Sequence, residues 1–180
     1  MIYFVTSNKN KFIEARAILK DVVELEQLDI DLPEIQEADA REIVKEKLIE
    51  AQKHHKGKFM VEDTSLELEC LGGLPGPFIK WFLEKIGPMG VYGIAKRFDN
   101  YKAIARTVVG YSNGDEIYFF EGKVEGKLVE QKVESGFGWD VIFKPDVADV
   151  TYAELSKEEK NKISQRSKAL TKFKEYLQNL

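Results

Sequence analysis

The chain is predicted to be an α/β protein built on a mixed β-sheet. Three observations predict this. Short apolar runs bounded by turn residues alternate with stretches of helical periodicity. One long hairpin region interrupts that alternation. No internal repeat or low-complexity tract occurs in the 180 residues.

The elements follow in order. Ile2–Thr6 is a short apolar strand, and Thr6, Ser7 and Asn8 are helix-start residues leading into a stripe of Phe12, Ala15 and Leu19. Val22–Glu26 reads as a second strand, followed by a loop at Asp31-Leu-Pro-Glu34. Asp39 and Glu42 have capping-box spacing and open a helix whose stripe is Val44, Lys47, Leu48 and Ala51. Phe59–Glu62 is a strand expected to end on the acids Glu62 and Asp63. The turn from Gly72 to Pro77 leads into a helix over Phe78–Ile86, and a further helix is expected over Met89–Phe98. Ala103–Tyr111 and Glu116–Glu121 form a hairpin about Asn113-Gly114. More strand is expected to about Val133, and Phe137–Phe143 is the last strand candidate. Ser156 and Glu159 repeat the capping-box spacing at the head of a C-terminal helical region.

Composition narrows the function classes. A hydrophobic fraction of 43% suffices for a globular core, and the length fits one domain, 1–180, or two closely packed lobes. The formal charge of −4 argues against a surface that wraps nucleic acid, yet leaves room for a small anion on a local cluster of cations. Cys70 is the only cysteine, so neither an intrachain disulfide nor a cysteine zinc cluster can form. Its expected role is a small buried apolar residue. Met1–Thr6 is too short for a signal peptide and no run approaches a membrane span, so a cytoplasmic protein with no membrane partner is expected.

Five constellations carry possible chemistry, each with a plainer alternative. Thr6-Ser7-Asn8-Lys9-Asn10-Lys11 lies on a strand-to-helix turn, where free N–H groups favour an anion. The alternative is an ordinary N-cap with solvated lysines. Glu34 and the pair Glu62-Asp63 are loop or strand-end carboxylates of the kind that hold Mg²⁺, unless Asp63 merely forms an Asx-turn with Thr64 or Ser65. Lys47 stands on an apolar stripe, where a lysine must snorkel or meet an anion. Phe137-Gly138-Trp139-Asp140 can stack on a base and bond its edge, or simply form core. Lys160 and Arg166 cannot share a face of one straight helix; they converge only if the helix breaks, with Ser164 placed to cap a second helix there, and are otherwise two exposed cations on an amphipathic helix. The adjacent histidines, His54 and His55, read as a solvated helix end rather than a zinc site.

Taken in order, these segments resemble the inosine triphosphate pyrophosphatase (XTP/dITP diphosphatase) family over nearly the whole chain. Phe4-Val-Thr-Ser-Asn-Lys-Asn-Lys11 resembles its phosphate loop and Asp31-Leu-Pro-Glu34 its metal-carboxylate loop. The most specific run is Val61-Glu-Asp-Thr64 with Leu71-Gly-Gly-Leu-Pro-Gly-Pro-Phe-Ile-Lys-Trp-Phe-Leu-Glu-Lys85, followed by Phe137-Gly-Trp-Asp140, Glu159-Lys-Asn161 and Ser164-Gln-Arg166.

The resemblance implies an elongated two-lobed mixed sheet with flanking helices and a central nucleotide cleft. It implies a homodimer that hydrolyses deaminated purine triphosphates to monophosphate and pyrophosphate, with Mg²⁺ as cofactor and Mn²⁺ as a substitute. By position, Glu34 and Asp63 would hold the metal, and Asp63 would also be catalytic. Thr6 to Lys11, Lys47 and Lys160 would surround the triphosphate, with Asp63 and Thr64 beside phosphate and sugar. Phe137 to Asp140, Gln165 and Arg166 would line the base pocket. Two positions depart from the family. Ser7 replaces a glycine, which a negative φ would accommodate, and Gln165 replaces a histidine. Other readings are a nucleotide-binding module without turnover, a pyrophosphatase for modified pyrimidine triphosphates, and a single-strand nucleic-acid binder.

Overall fold

The computed structural model describes every residue except Asp31 and Ser135. Asp31 opened the expected metal-carboxylate loop and therefore lies outside the described residues. The chain forms a mixed α/β fold. Its strands are β1 (Ile2–Val5), β2 (Leu25–Leu28), β3 (Phe59–Leu68), β4 (Pro75–Gly76), β5 (Lys102–Ser112), β6 (Ile117–Leu128) and β7 (Phe143–Pro145). Its helices are α1 (Lys9–Leu19), α2 (Ala40–His54), α3 (Ile79–Arg97), α4 (Lys157–Ile163) and α5 (Gln165–Gln178). The strands hydrogen-bond in the order β2-β1-β3-β5-β6-β7, with β4 paired to β3. β1 runs parallel to β2 and β3, whereas β4 and β7 run antiparallel to β3 and β6. No described helix is long and apolar enough to cross a membrane.

Residue contacts divide the chain into two compact units. The first comprises Met1–Asp63, Thr107–Gly122 and Arg166–Leu180, and the second Thr64–Arg106 and Lys123–Gln165. The first unit has two apolar clusters, sorted by strand parity. Ile2, Phe4, Met60, Val109 and Tyr111 pack with Ala15 and Leu19 of α1 and with Ala169, Leu170 and Phe173 of α5. Val5, Phe59, Val61 and Val108 pack with Val44, Leu48 and Ala51 of α2. Successive strand side chains point to opposite faces, so this division follows from the pleat. Gly110 lets α2 lie close against the strand, since a Cβ there would run into Val44 and Leu48. The second unit packs Leu66, Leu68, Ile79, Val91, Trp139, Phe143 and Tyr152 into a single core.

Several expectations need correction. β2 begins at Leu25, not Val22, because Val22 and Val23 donate back to the Leu19 carbonyl and prolong the end of α1. β3 does not stop at the acids. It runs on to Leu68, since Ser65, Leu66 and Leu68 continue to bury side chains. The Asx-turn alternative for Asp63 fails for the same reason. β6 ends at Leu128 rather than near Val133, and Phe137–Asp140 is turn rather than strand. Gly138, at φ 59°, takes the left-handed conformation that glycine adopts freely. Cys70 is only half-buried, packed at the margin of the second unit's core.

The two helices expected after Pro77 abut as α3 and are divided by non-helical Gly87 and by Pro88. Asp39 caps α2 by accepting from the Arg41 N–H at 2.8 Å, but the Glu42 carboxylate pairs with Lys45 instead of closing the box. The box at Ser156 and Glu159 is complete. The helix breaks at Ser164, whose extended backbone separates α4 from α5.

Candidate active site

In the first unit the parity of β3 sends its two acids to different partners. Glu62 shares the face of Met60 and meets groups on α1 and α5. Asp63 shares the face of Val61 and meets α2. Glu62 accepts from Arg166 Nε at 3.0 and 3.1 Å and pairs with Lys11 Nζ at 3.1 Å. Arg166 Nη1 donates to Glu14 Oε2 at 2.7 Å. Burial alone would raise the Glu62 pKa, but the Arg166 and Lys11 charges outweigh it and hold the carboxyl below its ordinary range. The guanidinium of Arg166 is buried too, yet its two carboxylates drive its pKa upward. Arg166 therefore commits Nε and Nη1 to carboxylates.

On the other face, Lys47 resolves the question its position raised. Its ammonium pairs with Glu34 Oε1 and lies 3.9 Å from Asp63 Oδ1, so it meets anions rather than snorkelling. Asp63 Oδ2 is buried and has no hydrogen-bond partner among the described residues. Burial raises the Asp63 pKa to about 6, against the pull of Lys47 and Lys11 and with the push of Glu34 and Glu62. The ion pairs fall into two sets, one joining Glu14, Arg166, Glu62 and Lys11 and the other joining Glu34, Lys47 and Asp63. Among the described residues no three His, Cys, Asp or Glu side chains converge on one point. A buried carboxylate oxygen without a donor, beside a second and exposed carboxylate, suits a hard cation that keeps waters and phosphate in its shell.

The loop before α1 is partly self-satisfied. Asn8 Oδ1 accepts from the N–H groups of Asn10 and Lys11 at 3.0 and 3.2 Å, and Thr6 Oγ1 accepts from Asn8 N at 3.1 Å. The expectation of free amides is corrected at those three groups. Ser7, Lys9 and Asn10 are exposed. Ser7 keeps a negative φ, since Asp99 is the only described non-glycine residue with a positive one. Its backbone needs no glycine.

In the second unit, Trp139 is 7% exposed and stacks edge-on against Phe143, with centroids 5.4 Å apart; it is a core residue. Phe137 is 56% exposed and available to a ligand. Asp140 pairs with Lys160, whose Nζ also lies 5.3 Å from the Tyr152 ring centroid. The Tyr152 hydroxyl donates to Gln165 Oε1 at 3.2 Å. Burial, then the Asp140 charge, drives the Tyr152 pKa upward, so it remains a neutral donor. Thr64 follows Asp63 in β3 and is half-buried.

Two participants escaped sequence reasoning. Glu14 had a usable signal, since it stands three residues after Lys11 on α1 and shares its face. Tyr152 had no local signal; only its burial beside Gln165 marks it.

Comparison with known proteins shows what the chain is similar to. Residues 2–176 match the model of the Ham1 family. The chain is 42% identical to an inosine triphosphate pyrophosphatase of Schizosaccharomyces pombe over 180 residues, covering 99% of this chain and 95% of that protein. It is 44% identical to inosine triphosphate pyrophosphatase 2 of Trypanosoma cruzi, covering 96% and 90%. Among solved structures, a HAM1 protein from Coxiella burnetii superposes with a TM-score of 0.86 at 25% identity, covering 99% of this chain and 98% of that one. The Ham1 protein of Staphylococcus aureus gives 0.78, also at 25% identity, covering 99% of each chain.

Proposed function

The chain belongs to the Ham1 family, and from that premise we propose that it hydrolyses deaminated purine nucleoside triphosphates, such as ITP, dITP and XTP, to the monophosphate and pyrophosphate. The observation that carries the reading is the buried, unpartnered Oδ2 of Asp63 beside Lys47 and Glu34. Glu34 and Asp63 would hold Mg²⁺, or Mn²⁺ in its place, and the ion would neutralise phosphate oxygens.

The rest falls to the chain's own residues. Lys47 and Lys11 are each ion-paired to a carboxylate, and each would exchange that carboxylate for a phosphate oxygen. The Thr6–Lys11 loop adds hydroxyl, amide and ammonium donors. Asp63 orients a water in line with the α-phosphorus. The water oxygen bonds to phosphorus, the bond to the leaving pyrophosphate oxygen breaks, and Asp63 accepts the water's proton. The base falls to residues of the second unit, where exposed Phe137 offers a stacking face and Gln165 a hydrogen-bonding amide. A homodimer is proposed on the family resemblance alone, and a cytoplasmic location on the single cysteine and the lack of a signal-peptide pattern.

The test is pyrophosphate release from ITP, XTP, dITP, GTP, ATP and modified pyrimidine triphosphates, with Mg²⁺ and with EDTA. Mg²⁺-dependent release from the first three is expected. Binding without release, or preference for a modified pyrimidine, would overturn the reading. Sedimentation gives the oligomeric state.

A further inference from the structure

β2 lies beside β1 in parallel register, with Gln27 opposite Phe4 and Leu28 opposite Val5. Partners in register share a face, so Gln27 lies on the face where Phe4 and Leu25 pack against α1. It is half-buried, and its Nε2 donates to the Thr6 carbonyl at 2.8 Å. The Thr6 N–H donates to the Leu28 carbonyl at 3.2 Å. β2 therefore holds the peptide on each side of Thr6, the first through its backbone and the second through the Gln27 side chain. The second peptide, Thr6–Ser7, is trans, so its carbonyl and its N–H point in opposite directions. With the carbonyl tied to Gln27, the Ser7 N–H is turned away from β2. The Asn8, Asn10 and Lys11 N–H groups are taken up within the loop, whereas the Ser7 N–H has no acceptor among the described residues. Half a turn of this one peptide would put a carbonyl oxygen where that donor stands, and a carbonyl oxygen repels an anion. Such a flip also carries the φ of the following residue to a positive value, as between turns of type I and type II. Ser7 keeps a negative φ, and its Cβ resists the change where a glycine would permit it.

We propose that Gln27 is a positioning residue: it holds the Thr6–Ser7 peptide with its N–H presented to a phosphate oxygen of the substrate, and the Ser7 side chain supports it against the flip. The inference rests on the proposed pyrophosphatase reading and adds to it a residue outside the loop. Gln27 acts through Thr6 rather than on the substrate. The loop is left with few backbone donors once Asn8 and Thr6 have taken up three of them, so the orientation of one peptide weighs on phosphate affinity.

The experiment compares the parent chain with Gln27→Met, Ser7→Gly and the double variant, with thermal melts to verify folding. Methionine keeps the length of the side chain and removes its donor. Pyrophosphate release from ITP with Mg²⁺ gives kcat and KM, and amide NMR spectra follow the Ser7 signal with inorganic pyrophosphate as the probe. Gln27→Met is expected to raise KM about fivefold to tenfold with kcat nearly parental. It should also remove most of the shift that pyrophosphate produces in the Ser7 amide of the parent. The double variant should raise KM by more than the product of the two single effects, because both residues oppose the same flip. A glutamine that served stability alone would instead lower kcat with the folded fraction and leave KM unmoved. A parental KM in folded Gln27→Met, or an unchanged Ser7 response, overturns the inference while the pyrophosphatase reading stands. A double variant at the product of the single effects overturns the supporting role of Ser7. Failure of the parent to release pyrophosphate overturns the reading and the inference together.

Discussion

Lys47 stands 3.9 Å from Asp63 Oδ1, while the other oxygen of that carboxylate is buried without a donor. One half of the carboxylate is charge-compensated and the other is not. The group therefore keeps its proton to about pH 6 in the folded protein.

Stability should follow from that shift. An acid whose folded pKa is raised binds more protons folded than unfolded between its two pKa values, so stability falls as pH rises through that window. The window runs from the ordinary value of 3.8 to about 6, and the loss amounts to about 3 kcal/mol once Asp63 is ionised. Asp63→Asn should therefore melt higher than the parent at pH 8 without divalent metal, with the difference vanishing near pH 4. It should also lose pyrophosphate release. Equal or lower melting at pH 8, or normal turnover, would contradict the assignment.

Lys47→Met should remove the strongest pull on the Asp63 proton. The acid limb of the pH–rate profile should move to higher pH. kcat/KM should fall by tenfold or more for loss of a charge-assisted phosphate contact of about 1.5–3 kcal/mol. An unmoved acid limb would count against the coupling.

Glu62 should behave with the opposite sign. Its folded pKa is held down by Arg166 and Lys11, so its contribution is present above the ordinary carboxylate range and is lost as pH falls through the lowered folded value. Arg166→Met should cost about 3–5 kcal/mol near pH 7 by stranding two carboxylates. Adding Glu62→Gln should recover part of that cost. Denaturant melts of the two single variants and the double measure it; strict additivity would show that the pair does not interact.

Gly110→Ala should push α2 away from β5, costing about 1–3 kcal/mol. Since α2 carries Lys47, the KM for a triphosphate should rise as well. Thermal melts and steady-state kinetics read the two effects, and a destabilised variant with parental KM would show that the helix position is not transmitted to the site.

The two aromatics beside Gly138 should separate cleanly. Trp139→Ala removes a packed core side chain and should cost about 3–5 kcal/mol. Phe137→Ala, at an exposed position, should leave the melt nearly unchanged and raise the KM for the nucleotide. A parental KM would remove Phe137 from the base site.

Elements and partner chemistry can be read from the residues wherever the cause is local. The cap at Asn8, the hairpin at Asn113, the box at Ser156 and the break at Ser164 depend on neighbours within a few residues, and each was legible. The stripe of α2 marked Lys47 as a lysine needing an anion, and the anions were there. What the tertiary structure decided was direction. Glu62 and Asp63 are adjacent and chemically alike, yet the pleat turns one toward Arg166, 104 residues away, and the other toward Lys47. One is pushed down in pKa and the other up. The same holds for Phe137 and Trp139, two residues apart, of which one is exposed and the other is core. Burial and pairing between distant segments set those outcomes, because they depend on which surfaces the folded sheet and helices bring together, and no local pattern carries that information.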